Sequence, residues 1–278
     1  MKRNMRKLLT CLLAAVFLAS TFMLAKQWYD RQKGIASYTN AGELASMQQP
    51  PQSAEGSQAL PSAPAADASA PVGPVWLPAP VEDDDPNMEA LEATDLSALQ
   101  QVNPEVVGWI LIPGTNINFP ITQGADNTFY LEHSWDGSPN QYGSIFLECM
   151  NSPDLTDFNT IIYGHRMNDG SMFASLHDFV QQDYWSAHPY VYIVTADGVY
   201  RYEIFSTYVA DTDSSTYGLS FNQEQTRIDF LRMALENSEI DTGITPATTD
   251  WIITLSTCTT WGYGSRRVVH ARLRMIEQ

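Results

Sequence analysis

From Leu91 onward, apolar positions fall into short runs divided by turn residues. Strand-like runs are Gly108-Trp-Ile-Leu-Ile, Asn118-Phe-Pro-Ile, Ser144-Ile-Phe-Leu, Thr160-Ile-Ile-Tyr, Tyr190-Val-Tyr-Ile-Val, Val199-Tyr-Arg-Tyr-Glu-Ile-Phe, Asp250-Trp-Ile-Ile-Thr-Leu and Arg267-Val-Val-His-Ala-Arg-Leu. Pro113-Gly114 and Asp197-Gly198 are among the turns between them. About eight short strands predict a mainly β domain, a barrel or a sandwich. Helical spacing intrudes at three places. Leu91 to Val102 predicts a short N-terminal helix with Leu96, Leu99 and Val102 on one side. Asn222 to Asn237 predicts a long helix, with Ile228, Leu231 and Leu235 inward and Glu224, Arg227 and Arg232 outward. Met172 to Phe179 predicts a shorter one.

Ahead of this domain the pattern is different. Leu8 to Ala25 carries no charge, and a run of this length is enough to cross a bilayer, which takes roughly 17–25 residues. Lys2, Arg3, Arg6 and Lys7 precede it, which predicts a cytoplasmic N-terminus and an exported domain. A cleaved signal peptide is the rival, but the apolar run continues past Ala19-Ser20 through Phe22, Met23 and Leu24. Residues 26–90, above all Gly34 to Met88, are rich in Pro, Ala, Ser and Gln and include the acidic run Glu82 to Asp85. Such a composition predicts a disordered, extended spacer holding the domain away from the membrane. The expected organisation is a tail at 1–7, an anchor at 8–25, a spacer at 26–90 and a folded domain at 91–278.

The formal net charge of −17 argues against a nucleic-acid role, since such a surface repels phosphates. Of three cysteines, Cys11 lies in the apolar run, and Cys149 and Cys258 do not make a disulfide framework. Cys149 sits in the strand-like Ser-Ile-Phe-Leu-Glu-Cys-Met and is expected to be a small packed residue. A lone thiol in an exported protein makes Cys258 a candidate reactive group. The His and Cys spacings match no zinc pattern and no calcium-loop motif occurs, so no metal or other cofactor is expected.

Thr254-Leu-Ser-Thr-Cys258 closes a strand in which Trp251, Ile253 and Leu255 share the expected core face. Cys258 then has the parity of Thr254 and Ser256, on the opposite face. In the next strand Val269, Ala271 and Leu273 form the apolar face, Arg267 shares their parity, and Arg266 has the polar one. If these strands are antiparallel neighbours, Cys258 and Arg266 emerge on one side. An arginine there would stabilise a thiolate or an oxyanion. His165 ends the run Ile161-Ile-Tyr-Gly-His, where it is placed to transfer protons, although His133, His177, His188 and His270 are equally available by composition. Cysteine plus histidine is the minimum for acyl transfer through a thioester.

At these residues the sequence resembles class B sortases. Thr-Leu-Ser-Thr-Cys258, followed eight residues later by Arg266 and then by Val-Val-His-Ala-Arg-Leu, is similar to their active-site strands. Tyr163-Gly-His-Arg-Met-Asn-Asp-Gly-Ser-Met-Phe173 resembles their histidine segment, and the runs Asn103 to Thr115 and Gln123 to Leu131 resemble two more. The likeness extends from about Leu96 to the C-terminus, and the anchor and spacer suit it. It implies a sortase-type β-barrel with added helices and a membrane enzyme that cleaves a C-terminal sorting signal of secreted proteins. Cys258 would attack the signal's carbonyl, and an amine of a cell-wall precursor or a pilin would resolve the thioacyl enzyme. His165 would be general acid, then base, and Arg266 the oxyanion partner. The same carry-over implies Asn127, Leu131, Tyr163, Ser256 and Tyr217 as substrate-groove positions. Two departures, Arg166 where Asn is expected and Thr259-Thr260-Trp261 without an acidic residue, leave the sorting signal open. The adjacent Arg267 keeps a second candidate for the working arginine.

Other classes fit less well. An L,D-transpeptidase or papain-like protease lacks support, because no Ser-His-Gly-Cys run occurs and Cys258 ends a strand near the C-terminus. A stalked adhesin with an incidental Cys258 would have an inert thiol, which a thiol-reactive probe distinguishes.

Overall fold

A computed structural model describes residues 2–45, 85–259 and 262–277. Most of the expected spacer (46–84) and Thr260-Trp261 of the Cys-to-Arg loop lie outside the described residues. The elements run α1 (Lys2–Leu44), α2 (Pro86–Glu92), α3 (Leu96–Val102), β1 (Val106–Leu111), β2 (Asn118–Thr122), β3 (Ile145–Leu147), β4 (Asn159–Tyr163), α4 (Gln182–Ala187), β5 (Tyr190–Thr195), β6 (Gly198–Asp211), α5 (Glu224–Glu236), β7 (Ile252–Thr259) and β8 (Gly262–Glu277). The strands close into a barrel in the order β1-β2-β3-β4-β7-β8-β6-β5, with β5 returning to β1. The barrel expected from the resemblance is therefore present, with every strand-like run in a strand.

Period-two alternation divides each strand between two buried layers. Ile110, Val191, Ile193, Ile253, Leu255, Val269 and Ala271 fill the interior. The outer faces are covered as well. Trp109, Leu111, Tyr192 and Val194 pack under α2 and α3 with Met88, Leu91, Leu96 and Leu99. A bulge between Val106 and Gly108 keeps Val106 on that same outer side despite its odd spacing. On the other flank, Phe230, Leu231 and Ala234 of α5 cover Phe205, Tyr208, Ile252 and Val268.

This second layer corrects several sequence expectations. Thr254 and Ser256, expected on a polar side, are fully covered, and Thr254 hydrogen-bonds Asn159 (2.6 Å) and His270 (2.9 Å). Asp85 and Asp95 cap separate helices, so the helix expected over Leu91 to Val102 is broken after Glu92, and Val102 is exposed. In α5 the inward residues are Phe230, Leu231 and Ala234; Ile228 faces out, because Phe230 seats in the aromatic cluster with Phe158 and Phe221. Arg227 folds back over the Phe158 ring and donates to the Phe221 and Thr248 carbonyls. The short helix expected at Met172 to Phe179 is a 3-10 turn at Ala174–Val180 followed by α4.

The boundaries of the expected spacer also move. The apolar helix does not stop at Ala25 but continues to Leu44. One stretch of it is long and apolar enough to cross a membrane. Its last turns lie on the barrel: Ala41 and Ala45 are buried, Tyr38 donates to the Gly143 carbonyl and meets the Phe119 ring edge-on, and Trp135 donates to the Ser37 carbonyl (3.0 Å). At the other end, Asp85 is folded rather than part of an acidic tail. It caps α2, accepts from Tyr192 (2.7 Å) and pairs with Arg201 at 2.9 Å, both side chains over nine-tenths covered. Burial alone would raise the Asp85 pKa, but the Tyr192 and Arg201 hydrogen bonds outweigh it and hold the carboxyl below its usual range.

Replacing Asp85 with Asn keeps the shape but leaves the Arg201 charge buried without its counter-ion. D85N is expected to cost about 3–5 kcal/mol in denaturant unfolding. A depressed folded pKa means the pair's contribution is present above the unfolded value of about 3.9 and is lost as pH falls through the lower folded value. The stability difference between D85N and the unaltered chain should therefore shrink in acid and be full at neutral pH.

Candidate active site

β4 and β7 run parallel, with Tyr163 the partner of Ser256. The Gly164 N–H continues the ladder to the Ser256 carbonyl at 3.1 Å. Two residues beyond the Tyr163–Ser256 pair stand His165 in one chain segment and Cys258 in the other. β7 and β8 run antiparallel, and Cys258 is the direct partner of Arg266. Two registers thus bring the three predicted residues to one mouth of the barrel. Glycine at 164 is required by close packing, since a Cβ there would lie 2.5 Å from Ile145 Cδ1 and 2.7 Å from Phe173 Cδ2.

A groove of about 270 Å³ opens there, lined by Asn127, Leu131, Phe146, Tyr163, Gly164, His165, Thr212, Tyr217, Ser256, Thr257 and Arg266. His165 is half-exposed, and its Nε2 is 2.7 Å from the Leu131 carbonyl. A carbonyl oxygen only accepts, so Nε2 carries the proton in that contact. Gly143 backs this arrangement. Its φ is +59°, and a Cβ would lie 2.7 Å from the Leu131 oxygen and 2.9 Å from His165 Cδ2. Among the described residues, no other histidine lines the groove. His133 stacks on Phe129, His188 bonds the Pro113 carbonyl, and His270 is fully buried. Burial pushes the His270 imidazole down to about 3, so it stays neutral between Thr254 and Tyr208.

The two arginines separate cleanly. Arg266 is half-buried and lines the groove. Arg267 is 8% exposed and pairs with Glu239 at 2.8 Å, away from the groove residues.

All five sequence-predicted groove positions lie in the groove wall. Tyr217, in a 3-10 turn at Ser215–Tyr217, shares a hydrogen bond with Ser256 (3.0 Å), and its ring stacks with Tyr163 at 6.4 Å. Asn127 and Tyr163 turn on a residue not foreseen, Glu148. Both Glu148 oxygens accept from Asn127 Nδ2 (2.7 Å each), and Tyr163 donates at 2.9 Å. Burial, then the Glu148 charge, raises the Tyr163 pKa and keeps its hydroxyl a donor. The signal for Phe146 and Glu148 was their shared parity, opposite to Ile145 and Leu147, in the run Ser144 to Glu148. Thr212 carried no such signal.

Cys149 lies in a turn after β3 rather than in a strand, half-buried, with its thiol 3.4 Å from Glu148. Burial, then the Glu148 contact, pushes that thiol's pKa up, away from reactive thiolate.

Comparison with known proteins agrees with this geometry. A sortase domain model matches residues 110–274. Sortase B of Listeria monocytogenes is 38% identical over 166 residues, covering 60% of this chain and 68% of that protein. Sortase B of Staphylococcus aureus is 32% identical over 161 residues, covering 58% and 66%. Among solved structures, sortase B from Bacillus anthracis in complex with AAEK2 is 39% identical, with a TM-score of 0.61 over 66% of this chain and 83% of that one. A sortase B–substrate complex from S. aureus is 31% identical, with a TM-score of 0.61 over 64% and 83%. Barrel, motifs and sequence identity converge: the chain belongs to the sortase family, class B, and is a cysteine transpeptidase.

Proposed function

We propose that Cys258 is the nucleophile, His165 the proton carrier and Arg266 the oxyanion partner of this transpeptidase, acting on a C-terminal sorting signal of secreted proteins. What supports this most is the pair of registers that sets Cys258 opposite Arg266 and brings His165 to the same mouth. The Cys258 thiolate attacks the scissile carbonyl, forming a C–S bond. The developing oxyanion is met by Arg266. The C–N bond then breaks, and the proton on imidazolium His165 goes to the departing amine. With Nε2 donating to Leu131, Nδ1 is the nitrogen that exchanges this proton. In the second half a neutral amine attacks the thioester carbonyl, its proton passes to His165, and the Cys258 thiolate leaves. Atoms balance without water, so the product is a new amide.

Asn127, Leu131, Tyr163, Tyr217 and Ser256 hold the signal in the groove. The acceptor is an amine of a cell-wall precursor, with a pilin amine as the second reading. The basic start of α1 and its exposed apolar residues from Leu12 to Leu24 favour a membrane-anchored protein with a cytoplasmic N-terminus and an external barrel.

Cys258→Ala should abolish both the acyl adduct, read by intact-mass spectrometry with candidate signal peptides, and transfer to an amine, whereas Cys149→Ala should keep both. Continued joining of peptide to amine by the Cys258 variant would refute the nucleophile. Arg266→Ala should slow adduct formation by about 10²–10³-fold. Arg267→Ala, which removes the contact to Glu239, should lose some stability but keep most of the rate; equal losses would undo the register argument. For topology, protease added to wall-stripped cells should cut within the Pro- and Ser-rich interval 46–84, and a fully protected chain would place the barrel inside.

A further inference from the structure

Glu148 is an acidic side chain beside the groove that the transfer chemistry leaves unused. It stands just past β3. Its N–H donates to the Ile161 carbonyl (2.9 Å), and its own carbonyl accepts from the Asn151 N–H (3.0 Å) and from Gln123 Nε2 (3.0 Å). The main chain is thus held from both sides, and the residue is 6% exposed. Among the described residues it takes part in no ion pair. Hydrogen-bond donors stand in for a counter-ion. Oε1 accepts from Asn127 Nδ2 (2.7 Å), the Cys149 thiol (3.4 Å) and the Met150 N–H (3.4 Å). Oε2 accepts from Asn127 Nδ2 (2.7 Å) and the Tyr163 hydroxyl (2.9 Å). A buried carboxylate without a cation is tolerated when donors converge on it in this way.

This convergence gives two groups of the groove wall a fixed direction. A carboxylate oxygen of Glu148 accepts from Asn127 at one end of the amide, and the Cys149 N–H donates to Asn127 Oδ1 (2.9 Å) at the other. The amide therefore has one orientation. Its nitrogen lies equally far from the two oxygens of one carboxylate. Those oxygens subtend a much smaller angle at the nitrogen than its two N–H bonds do, so a single hydrogen is shared between them. The second N–H diverges from Glu148 and is a donor for another partner. Tyr163 is fixed in the opposite sense. Its proton is committed to Glu148, and burial, then the Glu148 charge, keeps that proton on. Its oxygen retains lone pairs and is an acceptor. Asn127 and Tyr163 both line the groove, whereas Glu148 lies behind them. At the Tyr217–Ser256 contact, by contrast, either hydroxyl can be the donor.

We propose that Glu148 is a positioning residue for substrate: it holds Asn127 as a donor and Tyr163 as an acceptor, so that this wall binds one carbonyl and one N–H of the signal's extended main chain. It rests on the groove assignment under Proposed function. Every peptide unit carries a carbonyl and an N–H whatever its side chains, so a fixed donor near a fixed acceptor grips the chain without reading its sequence. Setting both directions before binding removes the cost of turning an amide and a hydroxyl when the peptide arrives. The effect falls on binding, because Glu148 acts through Asn127 and Tyr163 rather than on the reacting atoms.

The test uses the full chain, with triglycine as acceptor and, as peptide, the candidate signal that forms the Cys258 adduct fastest. Glu148→Gln keeps the shape but puts an N–H where an acceptor stood. Whichever way the Asn127 amide then turns, one N–H faces another. KM for the peptide should rise about tenfold, the loss of one oriented hydrogen bond, with kcat within about twofold. Alkylation of Cys258 by iodoacetamide should keep its rate. The exchange variant Asn127→Asp/Glu148→Gln preserves net charge and repairs the wall, since the new carboxylate accepts from the new amide and from the Cys149 N–H. Its urea midpoint should return toward that of the unaltered chain while KM stays raised, because the outward N–H is gone. Recovery of KM together with stability would reduce Glu148 to a structural role and overturn the proposal. A second series replaces each peptide bond upstream of the scissile one by an ester, which removes one N–H at a time. One position should raise KM about fivefold to tenfold in the unaltered chain and have no further effect in Tyr163→Phe. If no ester position couples to Tyr163, main-chain recognition is wrong. Normal adduct formation with unchanged KM in Glu148→Gln would overturn the positioning role alone. If the unaltered chain forms no adduct on Cys258, the transfer reading fails and the positioning role with it.

Discussion

The parallel ladder between β4 and β7 is the constraint on which the site depends. It fixes Tyr163 against Ser256 and extends through Gly164 to the Ser256 carbonyl. Because strand side chains alternate with period two, a slip of one residue would exchange the two faces of every position. The antiparallel ladder to β8 carries the same register to the next strand, so that Cys258 and not Thr257 stands opposite Arg266. A parallel pair has no tight hairpin to set its register. Here the interior residues do so: Ile162, Ile253 and Leu255 are all buried in one cluster.

Such a barrel must also cover its outside, and the covering layers decide which groups are available for chemistry. α5 closes over β6, β7 and β8, leaving His270 neutral and sealed and Thr254 spent on Asn159. Glu239 takes up Arg267. What lines the mouth is His165 with Arg266, beside the Tyr163 hydroxyl and the Asn127 amide anchored by Glu148. On the opposite flank, the Asp85–Arg201 pair ties α2 to β6 across a gap of more than a hundred residues. α1 adds a third covering, and its contacts reach the loop that positions His165 through Gly143.

Much of this was legible in the sequence. Val269, Ala271 and Leu273 announced the apolar face of β8 and so the parity of Arg266, and all eight strands could be found from runs and turns. The second buried layer was less legible, because a strand buried on both sides carries polar residues such as Thr254 and Ser256 when they have hydrogen-bond partners, and the partners are distant in sequence. For the same reason Glu148 was missed: its partners Asn127 and Tyr163 lie 21 and 15 residues away. In α5, Ile228 looked inward by spacing alone, but the aromatic cluster around Phe158 rotates the helix toward Phe230. Composition hid the docking part of α1. Its buried positions, Gly34, Ala41 and Ala45 with half-buried Tyr38, follow a 4-3-4 spacing that small residues make inconspicuous.

The central claim is that the register activates one cysteine by bringing one histidine to it, and thiol alkylation tests this without knowledge of the substrate. Iodoacetamide would be added to the folded full chain, and the rates at Cys258 and Cys149 read by peptide mass spectrometry in the unaltered protein and in His165→Gln. Cys258 should react faster than Cys149, whose thiol is held protonated by burial and Glu148, and His165→Gln should slow Cys258 while leaving Cys149 unchanged. A Cys258 that reacts no faster than Cys149, or whose rate is indifferent to His165, would contradict it.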